Sequence, residues 1–105
     1  MSSGPPMAEL AFEADVFHWR GPSPYFFVAL PPGEADELRR LSRLVTYGWG
    51  MIPVACEVAG VGFTTSLFRK DETYYLPLKG AVRHEAGITA GDRIAILVTV
   101  QPPKR

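Results

Sequence analysis

Cysteine is nearly absent: Cys56 stands alone in 105 residues. An intramolecular disulfide and a thiolate zinc cage are therefore excluded. Histidine is scarce as well. His18 and His84 lie far apart, and no HExxH, paired CxxC or nucleophile-elbow pattern occurs. No catalytic residue, metal or cofactor is assigned. Charge of one sign is missing: 11 Lys and Arg balance 11 Asp and Glu. Nonspecific DNA binding draws on a basic surplus that neutralises phosphate, so neutrality argues against nucleic acid as a partner, a local basic patch aside. No apolar run approaches the roughly 20 residues that span a bilayer. The start, "MSSGPPMAEL", lacks the charged and apolar regions of a signal peptide. A cytoplasmic chain without a membrane partner, monomeric or weakly homodimeric, is expected.

Hydrophobic residues make up 47% and aromatics 11%, which suits a globular protein with one modest core. A single domain is expected over 8–101, with flexible ends at 1–7 and 102–105; Met7 is an alternative start. From Leu10 to His18 the residues alternate, Leu10, Phe12, Ala14 and Val16 on one face and Glu13 and Asp15 on the other, which predicts a half-buried strand. "RGPSP" breaks it, and "YFFVAL" (Tyr25 to Leu30) predicts a second strand.

In "PPGEADELRRLSRLV", Ala35, Leu38, Leu41 and Val45 recur at helical spacing. Acidic residues gather at its start and arginines at its end, matching the helix dipole. Asp36 and Arg40, four apart, are expected to pair. Arg39, Arg40 and Arg43 suit a solvated face, or phosphate. "VACEV" alternates with Cys56 inward, which makes Cys56 a small buried hydrophobe rather than a nucleophile. "AGVG" predicts a turn into a strand over Phe63 to Phe68. "RKDE" (Arg69 to Glu72) predicts a polar hairpin turn, and "TYYLPL" the return strand. "KGAVRHEA" predicts one or two helical turns stopped by Gly87, with Ile88 behind it in a Schellman-type ending. "ITAGD" predicts a tight turn, and Arg93 to Val100 a last strand.

The expected fold is mainly β, about six strands and two short helices. The connections are too short for a doubly wound parallel sheet and suit a small barrel. An internal echo supports a pseudo-two-fold repeat: "YFFVALP", helix, "IPVACEV" follows the same order as "TYYLPLK", helix, "DRIAILV".

Two resemblances apply to these strings. "LPLKGAVRHEAGITAGDRIAI" resembles one half of the AbrB/MazE swapped-hairpin barrel. The set "FVALP", "GWGMIPV", "TTSLF" with "KD", "YLPLK", "AVR" and "GITAGD" resembles more fully a bacterial domain-of-unknown-function family of small proteins. Its members stand alone or are fused to a domain named for bacteriocin protection and OmpD association. The likeness runs from Phe12 to Val100. It implies a double-split β-barrel formed within one chain, and no established catalytic residues. One departure is the "RKDET" turn, where relatives carry proline and more glycine.

Four residues form the candidate site. Lys79 and Arg83 lie four apart, on one face if the short helix starts at Lys79. Ser66 and Thr64 share one strand face, and Thr65 the other. Trp49, between Gly48 and Gly50, is expected over a barrel mouth. Cations beside an aromatic wall and hydroxyls suit a small anionic or aromatic ligand. The structural alternative has Trp49 plugging the core, the hydroxyls satisfying backbone groups, and Lys79 and Arg83 pairing with Asp71 or Asp92. Other functional readings are an interaction module using an exposed edge around "KDETYY" and the arginine helix face, a cyclase- or isomerase-type enzyme using the same pocket, and AbrB-like DNA binding.

Overall fold

A computed structural model describes residues 8–19, 25–45, 51–70 and 73–100. The expected flexible ends, the Arg20 to Pro24 break, Trp49 and Asp71 lie outside the described residues. The chain runs β1 (Ala8–Trp19), β2 (Tyr25–Ala29), α1 (Pro32–Val45), β3 (Ile52–Val58), β4 (Val61–Lys70), β5 (Thr73–Leu78), α2 (Gly80–Ala86) and β6 (Arg93–Val100). The six strands close into a barrel in the order β1-β2-β5-β4-β3-β6, and every neighbouring pair is antiparallel.

Alternation in the sequence fills the barrel. Leu10, Phe12, Ala14 and Val16 of β1 are buried, as are Ile94, Ile96, Val98 and Val100 of β6. Between them Glu9, Glu13, Asp15, Arg93 and Leu97 are exposed. Each fully buried Val, Leu or Ile contributes about 1.5–3 kcal/mol relative to leaving it in water. On α1, Ala35 and Leu38 turn inward at 1% and 0% exposure. Arg39 rather than Arg40 takes the Asp36 carboxylate, and Arg40 is exposed. Residues three apart share a helix face as well as those four apart, and here the shorter spacing wins.

The hairpins are tighter than the sequence implies. Val58 pairs with Val61, so the turn is Ala59-Gly60 alone, with φ of 51° and 80°. Lys70 pairs with Thr73, so Arg69 and Lys70 extend β4 instead of forming the turn. Closure also removes an expected feature. β5 is bonded to β2 on one edge and β4 on the other, so there is no open strand edge at Tyr74 and Tyr75.

The barrel has a pseudo-two-fold axis. A β-β-α-β unit (β1, β2, α1, β3) is followed by another (β4, β5, α2, β6), and rotation exchanges β1 with β4, β2 with β5 and β3 with β6. Both helices open with the same bond, Ala35 N–H to the Pro31 carbonyl at 2.9 Å and Arg83 N–H to the Lys79 carbonyl at 3.0 Å. Pro31 therefore corresponds to Lys79, Ala35 to Arg83 and Phe27 to Tyr75. Phe17 pairs with Phe27 as Phe68 pairs with Tyr75, so Phe17 corresponds to Phe68. These four rings obey the symmetry. Phe17–Tyr75 and Phe27–Phe68 are edge-to-face contacts of 5.2 and 5.5 Å at 75° and 79°. Phe27 and Tyr75 meet at 5.9 Å. Continuing the registers, Asp15 corresponds to Ser66, Glu13 to Thr64 and Arg93 to Pro53.

Candidate functional site

Strand β5 ends at Leu78, and Lys79 turns the chain with extended backbone (φ −71°, ψ 157°) into α2. Gly87 takes φ 70° and ends the helix, letting the Ile88 N–H reach the Arg83 carbonyl at 2.9 Å. The backbone of Arg83 is thus held at its own N–H, by Lys79, and at its carbonyl, by Ile88. The expected helix stop is present, and Ile88 is buried behind it. The following turn also forms. Asp92 accepts from the Thr89 N–H at 2.9 Å through its carboxylate, and the Gly91 N–H reaches the Val16 carbonyl at 2.8 Å.

A groove of about 480 Å³ lies against β3 and β4. Pro53, Val54 and Ala55 line one side, Thr64, Thr65 and Ser66 the other, and Lys79 reaches it from the start of α2. Its position follows from register. Val54 and Cys56 point into the barrel, so Pro53 and Ala55 point out, opposite Ser66 and Thr64. The groove therefore sits on the outer wall of the β3–β4 hairpin rather than at a barrel mouth. Pro53 fits there because it precedes the first β3–β6 pair, Val54 with Val100, where a missing N–H leaves no ladder bond unmade. Lys79 is the one charged side chain among the lining residues.

Arg83 is not part of that lining. Its guanidinium carbon lies 3.6 Å from the centroid of the Phe26 ring. Its Nε is buried, with no acceptor among the described residues. Phe26 packs against the core from β2, and the His18 ring meets it at 4.8 Å from the adjacent position of β1. Neither expected carboxylate pairs with Arg83 among the described residues. Asp92 serves its own turn, and Asp71 lies outside the described residues.

The structure thus brings Ser66 and Lys79 to one groove and sets Arg83 one helical turn on from Lys79, stacked on a ring. Trp49, the expected aromatic wall, lies outside the described residues. Phe26 takes that part beside Arg83. The signal for it was available: Phe26 falls two before Val28 in an alternating strand, hence on the same face. Pro53 and Ala55 were missed because their place in the groove depends on pairing with β4, which no local pattern states.

The chemistry available is recognition. One ammonium, the two outward hydroxyls of Thr64 and Ser66, and a short apolar wall can hold an oxyanion. Cys56 adds no nucleophile. It is buried, and desolvation pushes its thiol up from an ordinary 9.0 to about 12. Fold and site together define a small antiparallel barrel built from a β-β-α-β repeat, with a polar groove on the outer wall where β3 of the first unit meets β4 of the second. The chain belongs to the family described as Domain of unknown function (DUF1905), which matches residues 12–98. Among curated proteins, none matches it. No helix among the described residues is long and apolar enough to cross a membrane.

Proposed function

We propose that the protein binds a small anionic ligand in the groove between β3 and β4, with Lys79 as the cation and Thr64 and Ser66 as hydroxyl partners. The observation that carries this reading is the convergence of Lys79 and Ser66, from separate elements, on one groove. Its volume of about 480 Å³ falls in the range of small-molecule sites. An interior cytoplasmic setting suits such a ligand-binding module.

The pseudo-two-fold barrel supports reading the fold as AbrB-like, with one chain supplying both halves. DNA is the less favoured ligand. Net charge is zero, and two of the arginines are taken up by carboxylates, Arg39 by Asp36 and Arg93 by Glu13 and Asp15.

Titration calorimetry with benzoate as the probe tests the reading. Wild-type protein should bind it, and Lys79→Ala should weaken binding about tenfold, the worth of one charge-assisted hydrogen bond. Ser66→Val should weaken it less. Failure of the wild type to bind, or equal binding by Lys79→Ala, would remove the proposal.

A further inference from the structure

Arg83 has an ion's charge and donors but no ion partner among the described residues. A guanidinium carries five N–H donors in one plane. The guanidinium carbon lies over the Phe26 ring, and among the described residues no acceptor reaches the buried Nε. Buried unsatisfied donors are rare in folded proteins and call for a reason.

The pseudo-symmetry shows that the fold does not supply one. The residue corresponding to Arg83 is Ala35, 1% exposed and packed into the core. The residue corresponding to Lys79 is Pro31. The same helix start is therefore built in the first half without any cation. The wall beside it differs too. Where the β3–β4 wall has Thr64, Ser66 and Pro53, the β1–β6 wall has Glu13, Asp15 and Arg93, and these satisfy one another at 3.2 and 3.1 Å. A groove of similar volume lies against β1 and β6, but it carries Glu13 and Glu57 and no cation, whereas the β3–β4 wall presents hydroxyls with two cations one turn apart beside it.

We propose that Arg83 is a second oxyanion site, and that the ligand of the groove carries two anionic groups. Lys79 and the hydroxyls hold one group. The Arg83 fork, oriented by Phe26, holds the other through paired N–H donors, the geometry that suits carboxylate or phosphate. Lys79 at the N-cap and Arg83 in the first turn of α2 are four residues apart, which calls for a ligand whose two anionic groups flank a small apolar body. This inference rests on the groove reading and specifies its ligand class.

The test compares benzoate with two probes that add a second group in the meta position, isophthalate and 3-carboxyphenyl phosphate, by calorimetry at constant ionic strength. Either doubly anionic probe should bind about tenfold or more tightly than benzoate. Whichever gains more identifies the second group as carboxylate or phosphate. Arg83→Gln should abolish the gain, so that the doubly anionic probes bind no more tightly than benzoate does to the same variant. Arg83→Lys, which keeps charge but loses the planar fork, should recover only part of it, and Phe26→Leu should reduce it. Circular dichroism on each variant confirms folding. Equal affinity for all three probes, or a gain that survives Arg83→Gln, overturns the inference while leaving a Lys79-dependent benzoate site standing. No binding of any probe overturns both.

Discussion

The Arg83 guanidinium carbon lies over the Phe26 ring, 3.6 Å from its centroid, while its Nε is buried without an acceptor among the described residues. The stacking contributes about 0.5–1 kcal/mol at a partly exposed site. An unmet buried donor costs about 1–3 kcal/mol. The cost equals or exceeds the gain, by up to about 2.5 kcal/mol, so Arg83 is not kept for stability. Arg83→Met, which retains the stem and removes the donors, should alter urea-unfolding stability by less than about 1 kcal/mol or raise it. A loss above about 3 kcal/mol would make Arg83 a structural residue.

Cys56 gives a pH-dependent prediction. Burial raises its pKa from 9.0 to about 12 in the folded protein. Between those values the unfolded chain loses a proton that the folded one keeps. The contribution is whole below about pH 9 and is lost as pH rises toward 12, at up to about 1.4 kcal/mol per pH unit. Cys56→Val should therefore flatten the alkaline limb of the stability curve relative to wild type. Valine fits because the corresponding position in the other half is Ile96, also inward-facing. Native Cys56 should also resist iodoacetamide at pH 8 and react once unfolded.

Ala59 holds a conformation that suits other residues better. Both turn residues have positive φ, 51° at Ala59 and 80° at Gly60, between the paired Val58 and Val61. That is the pattern of a type I′ hairpin, which favours Asn-Gly. For alanine, left-handed backbone costs about 1–2 kcal/mol. Ala59→Asn should stabilise the protein by about 0.5–1 kcal/mol, read as a higher urea midpoint with an unchanged slope.

Arg93 bridges two carboxylates, Glu13 at 3.2 Å and Asp15 at 3.1 Å, and these partners hold its pKa above the ordinary value. All three side chains are in water, so the effect is small and screened. Arg93→Gln should lower the melting temperature slightly at low salt, and the difference should vanish in 1 M NaCl. A salt-independent loss would mean that packing of the Arg93 stem, not charge, is what β1 and β6 share.

Most of the fold was legible because it rests on local pattern. Alternation in β1, β3 and β6 sets which face is buried, Gly87 stops α2, and the repeated order of strand, helix and strand announces the pseudo-symmetry. Three details were not legible. The choice of Arg39 over Arg40 by Asp36 depends on rotamers. The tight turns depend on how far each hairpin zips. The closure that seals β5 is a long-range property of all six strands. The candidate site divides the same way. Lys79 and Ser66 were visible as residue types near a strand end, but Pro53 and Ala55 enter through cross-strand register, and Phe26 meets Arg83 only when β2 and α2 come together.

The central claim is that anion recognition belongs to the β3–β4 wall of a duplicated barrel and not to the corresponding β1–β6 wall. Its most direct test is an amide ¹H–¹⁵N NMR titration of the wild-type protein with isophthalate. The predicted result is progressive shifts at Thr64, Thr65, Ser66, Lys79 and Arg83, with Glu13, Asp15 and Arg93 unmoved. Equal shifts on both faces, or shifts confined to the arginine face of α1, would contradict it.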